Sequence, residues 1–365
     1  MSDDLSAVSA APGTPSDESY VRLATNIVEG VSRGRAGFGA FRQFSDISRE
    51  TMMLVLNSGF FANSEKRGFP AWLVDGEFLH FYMKRSRPDH RYFVDQVLAS
   101  PTAYDPSCMW ALFWALAKAE HEFLFRYVPF WSHEERLTGH LISQIVERLE
   151  DFAPHWASLS GAPEAQAENH CRLFYADTAT ARRESETGAD FGLVIHAHFG
   201  QRQEYFKVAR FQAKKAEEND SALIDFDQVN ALLNRPDVGY FVFYHFHNPK
   251  QWSLPPTVLP AKHFQHRRDE LQKEKAQSKS TSLGKETTHA RNAGYDFATF
   301  VTFALADPAS EHGAYVLTAE DAVTELMRVR PPLSPPSRVM VITLGSGARV
   351  VDWAELLREF IGQAQ

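Results

Sequence analysis

Asp190, Gln212 and Lys214 put an acid, an amide and an amine at a spacing that can do chemistry. Between them runs DFGLVIHAHFGQRQEYFKVARFQAK, two apolar stretches around Gly200-Gln201-Arg202. A short glycine-containing loop between apolar stretches is a hairpin signal. The strands are read as Asp190 to Phe199 and Gln203 to Lys214. With the turn in the middle, Phe199 faces Gln203 and Asp190 falls opposite Gln212. Lys214 stands one step further along the same face, because strand side chains alternate. Carboxylate and amide oxygens are ligands for hard cations. A lysine ammonium is a compact charge suited to an anion or to orienting water.

The same alternation sorts the rest of the hairpin. Phe191, Leu193, Ile195, Ala197 and Phe199 share a face with Tyr205, Ala209, Phe211 and Ala213, and that face wants a core. Gln203 and Lys207 are its polar exceptions, nearer the turn. The opposite face carries Asp190, His196, His198, Glu204, Arg210, Gln212 and Lys214, with Val194, Phe206 and Val208 among them.

The flanking elements must hold this hairpin in place. Upstream, Ser132 to Phe152 reads as a helix with Ser132 as N-cap and Glu135 as its capping-box partner. Pro154 to Glu168 reads as a loop, and Arg172 to Ala176 as a short strand. Downstream, Asp225 to Leu233 reads as a helix and Gly239 to His247 as a strand. Strand, helix, strand is a crossover, so the later strand should run parallel to the one bearing Lys214.

Here the chain resembles the PD-(D/E)XK nuclease superfamily. Gly188-Ala189-Asp190, a hairpin, then Gln212-Ala213-Lys214 is most similar to its Mrr-like branch, in which glutamine replaces the acid of the third motif (QXK). Glu134-Glu135-Arg136-Leu137-Thr138 resembles the first core helix of that superfamily, which makes Glu134 a metal-ligand candidate. Gln228 resembles a helix glutamine of several branches. The resemblance spans roughly residues 132 to 247 and implies an α/β (α+β) core, a mixed sheet flanked by helices. It also implies Mg²⁺-dependent (or Mn²⁺-dependent) cleavage of phosphodiester bonds, in DNA rather than RNA, in a restriction or anti-phage role. On that reading Asp190, the Gln212 oxygen, the Ala213 carbonyl and Glu134 hold the ion, and Lys214 orients water or neutralises phosphate. A bound divalent ion acts as Lewis acid and activates water. Gln212 leaves the site one charge short of an acid, which Glu134, or else Glu184 or Glu186, would offset; the alternative for these last two is solvated loop acids. If no acid offsets it, the core is an inactive nuclease fold that binds nucleic acid or a protein.

Around this core the sequence divides into a disordered tail (1–19), a mainly helical region (20–127), the core (128–260), a basic flexible segment (261–292) and a C-terminal α/β extension (293–365) packed on the core. The helical region carries no catalytic constellation and is a candidate surface for a protein partner. Met109, Leu112, Phe113, Leu116, Phe123 and Phe125 form an apolar helical stripe that should face a core. The basic segment offers Arg267, Arg268, Lys273 and Lys275 as candidate nucleic-acid contacts, alongside Arg210 and Gln228. His196 with His198, and His245 with His247, read as polar-face residues, some able to contact phosphate, rather than as a four-histidine metal site.

Composition bounds the reading. The 365 residues are 44% apolar with net charge −8, so no global basic field draws nucleic acid to the whole surface. Cys108 and Cys171 are the two cysteines and lack metal-type spacing, which fits a reducing cytoplasm. No signal-peptide pattern is visible, and the most apolar window, Cys108 to Ala117, is too short to span a bilayer.

Overall fold

The computed structural model describes residues 108–128, 132–159, 170–177, 189–198, 203–219, 221–246, 255–277, 282–290, 295–308, 310–327, 336–345 and 351–363. The expected tail, most of the expected helical region, the 200–202 turn, Glu184, Glu186 and His247 lie outside the described residues.

Two helices lead in: α1 (Cys108–Arg126) and α2 (Glu134–Leu159). Three strands follow, β1 (His170–Asp177), β2 (Phe191–Ala197) and β3 (Tyr205–Lys215). β4 (Ser221–Asp225), α3 (Phe226–Leu232) and β5 (Gly239–Tyr244) then make the crossover. Asp225 caps α3 by accepting a hydrogen bond from the Asp227 amide at 2.9 Å. β6 (Thr257–Pro260), α4 (Gln265–Gln277), β7 (Lys285–His289) and β8 (Tyr295–Asp296) come next. A helical piece over Phe297–Leu305 precedes β9 (Ala314–Val316) and α5 (Ala319–Met327). β10 (Arg338–Gly345) and α6 (Trp353–Gln363) close the chain.

The main sheet has eight strands in the order β1-β10-β2-β3-β5-β6-β8, with β9 pairing against β3. It is mixed and flanked by helices, the fold class read from the sequence. β2 and β3 are antiparallel, with Phe191 opposite Phe211 and Ala197 opposite Tyr205, the register the turn dictates. β5 lies parallel to β3, with Gln212 beside Phe241 and Lys214 beside Phe243, as the crossover requires.

Packing explains why this register is held. Phe191, Leu193, Ile195, Ala197, Tyr205, Ala209, Phe211 and Ala213 join α1 and α2 in the largest core cluster. Phe191 stacks on Phe211 with ring centroids 4.7 Å apart. Each such ring is worth about 1.5–3 kcal/mol on burial. A one-residue slip would turn the whole set to the other face. That other face is covered too. Near the turn, Val194, Phe206 and Val208 pack with Val323 and Leu326 of α5 and Trp353 of α6. Near Lys214, Phe241 and Phe243 pack with Val229 and Leu232 of α3. A Cβ at Gly192 would collide with Leu326, so this glycine lets α5 lie close on β2.

Four expectations need correction. The C-terminal segment supplies a central strand rather than an appended extension: β10 lies between β1 and β2, antiparallel to one and parallel to the other. Its run Val339 to Leu344 is apolar except for Thr343, a pattern that belongs inside a sheet covered on both faces. The stretch 261–292 contains the ordered elements α4 and β7, with β7 paired to β4. The apolar stripe of α1 does face a core, as expected: Met109, Leu112, Phe113, Leu116 and Phe123 are buried in the main cluster. Finally, α2 begins at Glu134, where the His133 carbonyl accepts the first helical bond from Leu137. Ser132 is therefore not its cap, and its buried hydroxyl has no hydrogen-bond partner. α2 also runs through Pro154 to Leu159 where a loop was expected. A proline removes one i→i−4 bond, which a helix this long tolerates.

Candidate active site

Asp190 sits immediately before β2, at the end of the sheet where β3 finishes. Its backbone amide donates to the Phe211 carbonyl at 2.8 Å, which continues the hairpin ladder by one residue. The Ser337 hydroxyl donates to the Asp190 carbonyl at 2.8 Å and ties it to the start of β10. The side chain is held as firmly. Oδ2 accepts from the Ala213 amide at 2.6 Å and from Gln212 Nε2 at 2.7 Å. Asp190 and Gln212 thus meet directly, as the hairpin register requires.

Glu134 joins them from the first turn of α2. Its Oε1 accepts from the Lys215 amide at 3.0 Å, across 81 residues of sequence. Thr138, one turn later, donates to the Glu134 carbonyl at 2.9 Å and shares a 2.9 Å hydrogen bond with the Tyr244 hydroxyl. Tyr244 is fully buried at the end of β5, and burial pushes its phenol well up. Two neighbouring strand ends, β3 and β5, therefore fix the N-terminus of α2 and the carboxylate it carries.

Electrostatics bind these groups into one site. Burial pushes the Asp190 carboxyl up to about 6; the Ala213 amide and the Lys214 ammonium pull it down, Glu134 pushes it up, and Arg338 pulls it down. A carboxylate raised by desolvation beside a second acid favours a cation or a proton. Lys214 is itself only 9% exposed.

One acceptor is left over. Gln212 Oε1 is buried and has no hydrogen-bond partner. A buried amide oxygen without a donor costs about 1–3 kcal/mol, so it calls for an explanation. Asp190 uses Oδ2 for both of its hydrogen bonds, and Glu134 uses Oε1. Asp190 Oδ1, Glu134 Oε2 and Gln212 Oε1 are the oxygens these bonds leave over, and together they would make an oxygen-only donor set. That set suits Mg²⁺ or Mn²⁺, which take oxygen ligands, and Mg²⁺ commonly uses one or two carboxylates. No group of three or more His, Cys, Asp or Glu side chains with metal-holding geometry occurs among the described residues. The set described here is two carboxylates and an amide, so the residues fit a hard divalent ion without such a group.

The remaining sequence candidates divide. Gln228 lies on α3, over the sheet face that Gln212 and Lys214 share with Phe241 and Phe243, and its Oε1 is buried without a partner. Arg210 does not contribute a nucleic-acid contact. It is buried, and its guanidinium donates to the Leu326 carbonyl at 3.0 Å and to the Glu325 carbonyl, capping α5. Arg267 is engaged by Glu270, Glu274 and Glu286, and Arg268 donates to Asn230 at 2.8 Å. Lys273 is exposed and Lys275 half-buried on the same helix. Glu270 and Glu274 of this helix and Glu286 of β7 supply the acids that neutralise Arg267. His196 pairs with Glu204 at 2.7 Å and stacks on Phe206, and His245 bonds Thr257 at 2.8 Å, so both serve packing.

Two residues at the site carried no local sequence signal. Tyr244 is one of four aromatic residues in the run GYFVFY of β5. Arg338 opens β10, and only that strand's insertion beside β2 brings it to Asp190. No family model matches the chain, and no curated protein or solved structure matches it.

Proposed function

We propose that this protein is a metal-dependent nuclease that hydrolyses phosphodiester bonds, with DNA as substrate. The observation that carries the reading is the buried, partnerless Gln212 oxygen beside the raised Asp190 carboxyl. Asp190, Glu134 and Gln212 would hold Mg²⁺ or Mn²⁺, with the Ala213 carbonyl as a further ligand. When bound, the ion supplies Lewis acidity and lowers the pKa of water. The chain's own part is positional. The Ala213 amide fixes Asp190, the Lys215 amide fixes Glu134, and the β3 ladder fixes Lys214. Lys214 orients the attacking water and offsets the charge that grows on phosphate in the transition state.

The DNA preference and a restriction or anti-phage role rest on the QXK resemblance, and a cytoplasmic setting rests on the two cysteines without metal-type spacing. Among the described residues no helix is long and apolar enough to cross a membrane. One observation favours a second reading. The site carries an amide where a third carboxylate would strengthen ion binding, which suits a nuclease fold that binds nucleic acid without cutting it.

The test is cleavage of supercoiled plasmid, with linear DNA and RNA alongside, in Mg²⁺, Mn²⁺ or EDTA. Metal-dependent nicking that disappears in Lys214→Ala supports the enzyme. DNA binding without cleavage, unchanged in Lys214→Ala, supports the binding module.

A further inference from the structure

We propose that Arg338 is a substrate-binding residue, its guanidinium gripping a DNA phosphate at the mouth of the Asp190 site. The proposal rests on the nuclease reading and adds a contact that the motif residues do not supply.

The argument starts from the sheet. Arg338 is the first residue of β10 and is paired with Asp177 on one side and Phe191 on the other. Its backbone is thus anchored in two ladders, one residue from Asp190 across the strand. The rest of β10, from Val339 to Leu344, is almost wholly buried, while Arg338 is only half-buried at the sheet's end. The guanidinium donates to the hydroxyl of Tyr175, a side chain 40% exposed on β1. That bond occupies one of the five N–H donors of the fork.

Charge balance gives the arginine a purpose. Asp190 and Glu134 place two negative groups where an anionic phosphodiester must approach. Lys214 and Arg338 are the two cations whose charge acts on Asp190. Lys214 has a role at the reacting phosphate; Arg338, half-buried at the end of β10, supplies the second positive charge. A guanidinium binds phosphate through two parallel N–H bonds, a geometry that lysine cannot reproduce. The alternative is a structural arginine that balances Asp177 and Tyr175 and touches no substrate.

The test uses the full-length protein with Arg338→Gln and Arg338→Lys. Three readouts are taken: anisotropy with a labelled duplex in EDTA over a salt series, single-turnover cleavage in Mn²⁺, and Mn²⁺ affinity by calorimetry. Arg338→Gln should bind DNA at least about tenfold more weakly, and its log K against log salt slope should fall by about 0.9, one phosphate contact. Its Mn²⁺ affinity should hold or rise, since a nearby cation is gone. Arg338→Lys keeps the charge and the fold. It should bind DNA within about twofold of wild type yet cleave about tenfold more slowly, for want of the fork. Wild-type cleavage with an unchanged salt slope in Arg338→Gln overturns this inference and leaves the nuclease reading standing. An Arg338→Lys variant that cuts at the wild-type rate overturns the bidentate grip. A wild-type protein that neither binds nor cuts DNA overturns both.

Discussion

The β2–β3 hairpin buries polar side chains at both ends, and the two ends treat them differently. At the turn end, His196 Nε2 and Glu204 Oε1 are 2.7 Å apart, and the imidazole stacks on Phe206 and meets Trp353 edge-on. Lys207 is fully buried there, and its ammonium donates to the Ser310 carbonyl at 2.9 Å. At the other end, Asp190 and Gln212 also hydrogen-bond, but the Gln212 oxygen has no donor and the Asp190 carboxyl is pushed up to about 6. One end satisfies its polar groups inside the protein, as buried groups ordinarily are. The other keeps a deficit that an incoming cation would relieve. Polarity on a buried strand is therefore not by itself a mark of function; here the unmet oxygen stands beside two carboxylates, Asp190 and Glu134, and a lysine.

The sharpest way to break this contrast is Lys214→Ala. Cleavage of plasmid should fall by at least about a hundredfold, the scale of losing one charge-stabilising group at a reacting centre. A fall smaller than about threefold would move Lys214 out of the chemistry.

His196→Ala should do the opposite. It empties a stacked, fully buried site and removes the 2.7 Å contact to Glu204, so about 2–4 kcal/mol of stability should go. Cleavage per folded molecule should not change. Urea unfolding and single-turnover assays on the same preparation separate the two effects. Burial holds the His196 pKa below its ordinary 6.5. The neutral ring is the folded form, so its contribution is present above about pH 6.5 and is lost as pH falls through the folded pKa. A wild-type protein whose advantage over His196→Ala grows on acidification would contradict this.

Asp190→Asn should sharpen the contrast with a smaller effect. Asp190 ordinarily titrates near 3.8 and is raised to about 6. The protonated form is the folded preference, so its stabilising contribution is complete below about pH 4 and is lost as pH rises through 6. In EDTA at pH 7.5 the asparagine variant should be more stable than wild type by about 1–2 kcal/mol, allowing for partial exposure. The gain should vanish at pH 4. Added Mg²⁺ should stabilise wild type and leave the variant unmoved, because only a ligand bound to the native state raises its stability. A variant less stable at pH 7.5 in EDTA would mean the carboxylate is structural.

Arg267→Ala should have the smallest effect. Its partners are exposed acids, and exposed ion pairs contribute little. Neither the melting temperature nor the salt dependence of DNA binding should move measurably. A fall in the salt slope would restore α4 as a phosphate contact.

Much of this architecture could be read along the chain because it is set locally. A turn read at 200–202 predicts the hairpin register, and the register found, Phe191 opposite Phe211, brings Asp190 to Gln212. Asp225 and Thr318 cap α3 and α5 with the side-chain bonds their types favour. What could not be read is long-range. Nothing near Arg338 announces that β10 inserts between β1 and β2, just after Ser337, which bonds Asp190 across 147 residues. Thr138 and Tyr244 are ordinary residues until the fold brings them within 2.9 Å. Arg210 looked like a phosphate contact because a strand arginine beside polar neighbours carries no sign of the helix end it will cap. The basic stretch misled differently. Counting Arg267 and Lys273 without Glu270, Glu274 and Glu286 overlooks the acids that the helix and β7 bring to Arg267.

The central claim is that Gln212 stands where an ion needs an oxygen, and calorimetric titration of Mn²⁺ into wild type, Gln212→Glu and Gln212→Met tests it most directly. Wild type should bind one ion. Gln212→Glu should bind it about tenfold more tightly, because a charged oxygen replaces a neutral one, and should be less stable in EDTA, where two carboxylates face each other. Gln212→Met should lose at least about tenfold in affinity while remaining folded. Mn²⁺ binding that ignores all three side chains, or wild type that takes up no ion, would contradict the account.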